Sequence, residues 1–313
     1  MVKVLTIPDR WSAKDIPDLT GKRFLITGAT SGIGLAAATE LARRNAQVVI
    51  TARSEEKAKA AIKKIGPGLV SSLIMDLTDL STVRKAAASI DAPFDIVVLN
   101  AGVMATPFTK TVDGFELQMG TNHLGHFAFT AQVFPALVAG ARVVSVSSMA
   151  HRMGSFKPEL IIDQCYGRGE YNPWSAYGRS KLANLLFTLE LHRRSQHGQL
   201  PGKKEIIATA AHPGWSSTNL QAVAPQMKNQ PLVERGTSVV NKVFAQSAKQ
   251  GALPILCAAT FPGIPGGSYL GPDGFLEMRG YPKFTRASGA AYDQNLAAKL
   301  WEISCDLTGV QWS

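Results

Sequence analysis

What most constrains this chain is a regular alternation: short β-branched and apolar runs, each followed by a longer Ala- and Leu-rich stretch. Arg23–Thr27 and Gln47–Thr51 open the series, and Val70–Ile74, Asp95–Leu99, Val143–Ser147, Glu205–Ala210 and Gly267–Leu270 continue it. Gly34–Arg44 and Lys181–Arg193 are helical stretches between them. The runs lack polar alternation, as strands do when helices cover both faces of a parallel sheet. The pattern predicts an α/β fold, a doubly wound parallel sheet of about seven strands. The 313 residues suit one large domain, expected over residues 21–313 after an N-terminal surface arm at 1–20.

Two Gly- and Pro-rich stretches, at about 151–175 and 262–286, break the pattern and are expected to be long loops. Loops at the carboxyl ends of strands shape the ligand site in open α/β sheets, so both are expected to contact substrate. The apolar N-terminus, Met1–Ile7, is interrupted by Pro8-Asp9-Arg10, too early for a signal segment. No stretch reaches the ~18 uncharged apolar residues of a membrane span. Cys165, Cys257 and Cys305 have neither disulfide-framework nor zinc spacing, so a reducing cytoplasm is the expected compartment. The formal net charge of +10 raises nucleic acid as a partner. Its basic residues, however, are scattered pairs such as Arg43-Arg44 and Lys203-Lys204 without interleaved aromatics, and no nucleic-acid role is expected. The excess favours an anionic small ligand.

The first predicted strand runs into Thr27-Gly28-Ala29-Thr30-Ser31-Gly32-Ile33-Gly34 and then a helix. These glycines permit a tight turn and a close approach of backbone to a pyrophosphate, while the helix start supplies free N–H groups and a positive dipole end. Three glycines alone would be weak evidence; placed between a strand and a helix they carry weight.

Taken in order with Asn100-Ala101-Gly102, Ser147-Ser148 and Tyr177-Gly178-Arg179-Ser180-Lys181, this turn resembles the short-chain dehydrogenase/reductase family, from Gly21 to about Leu307. Asn122-His123-Leu124-Gly125-His126-Phe127, Lys181-Leu182-Ala183-Asn184 and His212-Pro213-Gly214 are similar to its retinol dehydrogenase and protochlorophyllide reductase branch. The resemblance implies a Rossmann fold, a nicotinamide cofactor and the interconversion of a carbonyl and an alcohol. It implies that Gly28, Thr30, Ser31, Gly32, Ile33 and Gly34 hold the cofactor's phosphates. Asp76 and Leu77 would flank the adenine, Asn100, Ala101 and Gly102 line the nucleotide trough, and Pro213, Gly214 and Thr218 meet the nicotinamide carboxamide. After the second strand, Thr51-Ala52-Arg53-Ser54 carries no carboxylate to hold a ribose 2′-hydroxyl. Arg53 offers a fork suited to a 2′-phosphate, so NADP(H) is the expected cofactor.

Tyr177 and Lys181 stand four residues apart in a helical stretch, which puts both side chains on one face. A free phenol titrates near pH 10, and an ammonium one turn away is expected to lower that value and make Tyr177 an acid/base. On the family's pattern Lys181 also bonds the nicotinamide ribose, and Ser148 polarises the substrate oxygen. Asn122 matches the fourth catalytic position, where a backbone distortion supports a water-linked proton path. The chain has no G-x-S-x-G elbow for a serine hydrolase. His123 and His126 lack a third ligand and read as packing or surface residues, His212 reads as structural, and no metal site is expected.

Ser148 and Tyr177 are 29 positions apart, a wider gap than in many members of the family. The insert carries Phe156, Tyr166, Tyr171 and Trp174, and Trp215, Phe261, Tyr269 and Phe275 are expected on the opposite wall. Together they suggest a pocket for a bulky lipophilic carbonyl or alcohol, such as a retinoid or steroid; the competing role is to anchor loops. Trp215 stands where light-dependent protochlorophyllide enzymes have cysteine, which argues against the pigment reaction. A catalytically silent NADP-binding sensor or scaffold is the rival function, and the intact Ser148, Tyr177 and Lys181 set speaks against it. Segments after Phe115 and Tyr177 are long enough to pair in a homodimer or tetramer, unless the C-terminus through Leu300-Trp301 covers them.

Overall fold

A computed structural model describes residues 6–215 and 246–312. In chain order the elements are β1 (Arg23–Ile26), α1 (Gly32–Arg43), β2 (Gln47–Ala52), α2 (Glu55–Ile65), β3 (Val70–Ile74), α3 (Leu80–Ala88) and β4 (Phe94–Leu99). A helical turn at Leu117–Met119 and a π-turn at Gly120–Leu124 lead into α4 (Gly125–Val133). Next come β5 (Leu137–Val146), α5 (Ile161–Tyr166), α6 (Pro173–Gln196), β6 (Ile206–Ala211), α7 (Ala248–Thr260), β7 (Tyr269–Pro272), β8 (Pro282–Phe284) and α8 (Gln294–Thr308).

One sheet has the order β3-β2-β1-β4-β5-β6-β7-β8. Strands β1 to β7 are parallel neighbours, and β8 runs antiparallel to β7. The doubly wound α/β expectation holds, with eight strands among the described residues rather than about seven. The eighth hid inside a Gly/Pro-rich stretch because it is three residues long and opens on Pro282, a residue tolerated at the start of an edge strand. Strand order reverses between β1 and β4, both of which pair through the centre of the sheet. This switch point opens a crevice at the carboxyl ends of the strands.

Side chains alternate faces along each strand, and both faces are apolar. Leu25, Val49, Val97, Leu99, Val143 and Ala208 face one core with α3, α4, α6 and α8. Phe24, Ile26, Val48, Ile50, Val98 and Val144 face the other with α1, α2 and α7. The segment before β1 is tied into this second core by Trp11, Ile16 and Leu19, all buried, and by the Arg44 guanidinium donating to the Ala13 and Lys14 carbonyls. It lies outside the sheet yet contributes to the interior.

Helix α8 lies against α4 and α6. Its Trp301 stacks on Phe187 with ring centres 5.8 Å apart and meets Phe127 edge-on at 5.1 Å. Trp312 closes the cluster 4.6 Å from Trp301. Such offset and edge-on contacts add to area burial. Among the described residues, no helix is long and apolar enough to cross a membrane.

Neither long loop is featureless. Residues 151–175 contain the end of a 3-10 turn at Met149–Met153, another at Pro158–Leu160, all of α5 and the start of α6, while 262–286 contains β7 and β8. Isolated Gly and Pro residues punctuate these short elements, which is why the composition read as loop.

Candidate active site

The glycine turn joins β1 to α1 at the switch point. Gly28 has φ of +67°, and a β-carbon there would lie 2.7 Å from the Ala101 Cα, so turn geometry and close approach both require glycine. Asn100 holds the turn from the neighbouring strand, its side-chain amide donating to the carbonyls of Thr27 (2.8 Å) and Gly28 (3.2 Å). Its neighbour Ala101 packs on Gly28, and Gly102 packs on the Asn122 amide. Asn100, Ala101 and Gly102 thus form the floor beneath the turn. Thr30, Ser31, Gly32 and Ile33 remain partly or fully accessible, while Gly34 is buried in the first turn of α1.

Whether a dinucleotide fits can be judged from the helix starts. The side chains of Ser54, Asp79, Asn172, Ser247 and Asp293 cap α2, α3, α6, α7 and α8. Ser31, at the start of α1, makes no such bond, and the first turn of α1 carries no acidic residue. The first-turn N–H groups of α1 and the positive end of its dipole therefore stay open to an anion. Arg53 is exposed just past β2, with no carboxylate between it and the strand end. Asp76 Oδ1 accepts from the Thr78 N–H and hydroxyl, both at 2.9 Å, which shapes the turn after β3 beside buried Leu77. These residues fit a nicotinamide dinucleotide, whose pyrophosphate would lie at the start of α1.

The chemical end is assembled from β5, α6 and the π-turn. Ser148 caps the turn after β5, its Oγ accepting from the Ala150 N–H at 3.2 Å. That turn lies directly on α6, since a β-carbon on Gly178 would come within 2.6 Å of the Ala150 carbonyl. Pro173 and the Asn172 side chain start α6, with Asn172 accepting from the Trp174 and Ser175 N–H groups. One turn in, Tyr177 and Lys181 are both buried, and the Lys181 Nζ sits 5.8 Å from the centre of the Tyr177 ring. Lys181 donates to the Val146 carbonyl at 3.1 Å. Asn122 Oδ1 accepts from the Val103 N–H, and its Nδ2 donates to the Val103 carbonyl and to Ser180 Oγ. Asn122 and Lys181 thus meet beside Gly102, and Tyr177 lies next to both Lys181 and Ser148.

Their electrostatics depart from expectation. Burial pushes the Tyr177 phenol up to about 12, with a hydrogen bond to Ser148 pulling the other way. Burial also lowers the Lys181 ammonium to about 8. Both shifts follow from one cause, a poorly solvated pocket that penalises phenolate and ammonium alike. Burial outweighs the neighbouring ammonium, and the phenol is not brought toward neutral pH. Tyr177 is a protonated acid at neutral pH.

Three buried histidines brace the turns around this site. His151 Nδ1 donates to the Ser148 carbonyl at 2.6 Å, and its Nε2 accepts from the Ser288 N–H. His212 Nδ1 accepts from the Gly214 N–H, which leaves its Nε2 proton for Glu277, 2.9 Å away. His126 bonds the Asn122 carbonyl and the Thr27 hydroxyl. His123, the fellow of His126 in sequence, bonds Ser304 in the core. Among the described residues no three His, Cys, Asp or Glu side chains converge as metal ligands would. Pro213 and Gly214 follow β6 at the crevice, and Thr218 lies outside the described residues.

The aromatic residues expected around substrate divide into two groups. Phe156 and Tyr166 pack on the core, Phe261 packs on the opposite face of the sheet, and Tyr269 is buried between His151 and His212. Tyr171 anchors the insert: its hydroxyl lies 2.9 Å from Glu116 Oε1 and 3.0 Å from the Thr106 carbonyl, and accepts from Gln118. Trp174, Trp215 and Phe275 keep large exposed faces, and Trp174 meets the Tyr177 ring edge-on at 6.2 Å. The wall expected from eight aromatics therefore reduces to three accessible ones, because the others are spent holding loops. Glu116, Gln118, Ser180, His151 and Glu277 had no sequence signal; the second histidine of Asn122–Phe127 was the visible trace of His126.

The short chain dehydrogenase family model matches residues 22–158. Human retinol dehydrogenase 12 is 35% identical over 306 residues, covering 94% of this chain and 88% of that protein. This chain belongs to the short-chain dehydrogenase/reductase family. Its relatives are dehydrogenases and reductases, which makes it an oxidoreductase acting on CH–OH or C=O groups. An uncharacterized protein from Mycobacterium Paratuberculosis superposes with a TM-score of 0.80 at 40% identity, covering 97% of this chain and 99% of that one. A short chain dehydrogenase from Burkholderia cenocepacia, solved in complex with NADP, has a TM-score of 0.58 at 25% identity, covering 80% of this chain and 96% of that one.

Proposed function

We propose that the chain is an NADP(H)-dependent oxidoreductase that interconverts a carbonyl and an alcohol on a bulky lipophilic substrate, with Tyr177 as its acid/base. The observation that carries this reading is that Tyr177 lies buried beside both Lys181 and Ser148, just past the carboxyl end of β5. When bound, the nicotinamide supplies or accepts the hydride. Ser148 Oγ accepts from the Ala150 N–H and bonds the Tyr177 hydroxyl, and its own proton would turn to the substrate oxygen that enters between them. The Tyr177 hydroxyl donates its proton to that oxygen in reduction and recovers it in oxidation. Because burial favours the neutral phenol, the resting site is armed for reduction. Lys181 lies one helical turn away, and its ammonium would bond the nicotinamide ribose. Asn122 braces the Gly102–Val103 turn against α6 through its side chain.

Cofactor choice rests on Arg53 and on the missing carboxylate after β2; NADP bound to the Burkholderia relative agrees with it. Trp174 against the Tyr177 ring, with Trp215 and Phe275 accessible, supports an apolar substrate, as do the retinol dehydrogenase relatives. Three unpaired cysteines support a reducing, cytoplasmic location. The test is a panel of carbonyl compounds assayed with NADPH and with NADH. Retinoid, steroid and long-chain aldehydes should be reduced in preference to small polar carbonyls, with a lower KM for NADPH than for NADH. Equal or better use of NADH would refute the cofactor assignment, and a preference for small polar carbonyls the substrate class.

A further inference from the structure

The imidazole of His126 joins the two halves of the site. Thr27, at the end of β1, is buried, and its Oγ1 accepts from the Asn100 N–H at 2.9 Å and from the Ala101 N–H at 3.0 Å. A hydroxyl oxygen has two lone pairs and one proton, so both lone pairs are filled. What remains to meet His126 Nε2, 2.8 Å away, is the Thr27 proton. The alternative acceptor for that proton, the Val98 carbonyl, lies at 3.5 Å. His126 Nε2 is therefore the acceptor, and the ring proton sits on Nδ1, which donates to the Asn122 carbonyl at 3.0 Å. Every polar atom in the chain Asn122–His126–Thr27–Asn100/Ala101 is satisfied with the imidazole neutral. Burial and the neighbouring Lys181 ammonium hold it so, lowering its pKa to about 4.

We propose that His126 is a positioning residue: a neutral bracket that fixes the Asn100-Ala101 floor of the dinucleotide site through Thr27 and the π-turn at Asn122 through its carbonyl. It touches neither cofactor nor substrate. The Nε2 end acts on cofactor affinity and the Nδ1 end on the chemical corner. The first effect rests on the NADP(H) reading given above.

Two substitutions separate the ends. In His126→Asn the side-chain amide lies where Nδ1 was and keeps a donor for the Asn122 carbonyl, but does not reach Thr27. In His126→Gln the amide reaches the Nε2 position and accepts from Thr27, but gives up Asn122. The readouts are NADPH affinity by fluorescence titration, amide hydrogen exchange across residues 98–104, and the melting temperature of the cofactor-free protein. His126→Asn should weaken NADPH binding about tenfold, ~1.4 kcal/mol, as expected for one buried hydrogen bond, and speed exchange at Asn100 and Ala101. His126→Gln should keep both within about twofold of the wild type. In a Thr27→Val background the two variants should no longer differ. The bracket is refuted if affinity and exchange follow the loss of melting temperature alone in both variants, or if His126→Asn binds NADPH like the wild type. Failure of the wild type to bind NADPH would instead overturn the cofactor reading, and exchange at Asn100 and Ala101 would still test the bracket.

Discussion

The cofactor end and the substrate end of this molecule are built by different means. At the cofactor end the positions that matter fall in three short segments, each just past the end of a strand: the turn from Thr27 to Gly34 after β1, Arg53 after β2, and Asn100 to Gly102 after β4. Parallel register brings them together, since β1 pairs with both β2 and β4. At the substrate end the supports come from distant segments, such as Tyr171 on Glu116, His151 on Ser288, and His212 on Glu277. Backbone geometry leaves a local trace in sequence; side-chain pairing across 50 to 140 residues leaves none.

This contrast can be broken first at Gly28. Alanine there must accept a positive φ and a contact of 2.7 Å with Ala101. Overpacking of this kind costs about 1–3 kcal/mol, and added backbone strain raises the figure. Gly28→Ala should lower the melting temperature by several degrees and abolish measurable NADPH binding, as read by scanning calorimetry and titration. Unchanged stability would mean that the close approach is not rigid.

A smaller effect is expected at Arg53, which is exposed and structurally unencumbered. Arg53→Ala should raise the KM for NADPH about tenfold, leaving NADH use and melting temperature unchanged, because it removes one bidentate contact to phosphate. Equal effects on both cofactors would remove Arg53 from the 2′-phosphate site. At the substrate end, Tyr171→Phe deletes the hydroxyl that links Glu116, Gln118 and Thr106. It should cost ~1–3 kcal/mol of stability by leaving buried partners unpaired, and raise KM for the carbonyl more than for NADPH. A variant with altered NADPH affinity and unaltered substrate KM would place that network at the wrong end.

The smallest effect concerns pH. The bond from His212, opposed by partial burial and aided by Thr285, holds the Glu277 carboxyl down at about 2 against an ordinary value of 4.5. A depressed carboxylate contributes stability that is fully present above 4.5 and lost as pH falls toward 2. The melting temperature should therefore fall more steeply between pH 5 and pH 3 in the wild type than in Glu277→Gln. Parallel slopes would show that the pair does not couple to folding.

Much of the fold was legible. The seven parallel strands follow from uninterrupted β-branched runs such as Val48-Val49-Ile50, and the start of α1 follows from its glycines. Strand β8 was not, because three residues headed by Pro282 carry too little pattern. Tyr177 and Lys181 were placed on one face by their spacing, but the direction of the phenol's shift was not. Spacing reports proximity, whereas the shift depends on burial and on the hydrogen bond to Ser148. The aromatic residues of the insert were visible as a group; which of them face the cleft depended on partners such as Phe115, which meets Tyr166 at 5.3 Å.

The most direct test of the account is Tyr177→Phe, assayed for NADPH oxidation with the best carbonyl of the panel and for NADPH affinity by titration. The phenyl ring keeps the packing against Trp174 and removes only the hydroxyl. Turnover should fall to a few per cent of the wild type or less, with NADPH affinity held within about twofold. Turnover that survives the loss of the hydroxyl would contradict the assignment of Tyr177 as the proton donor.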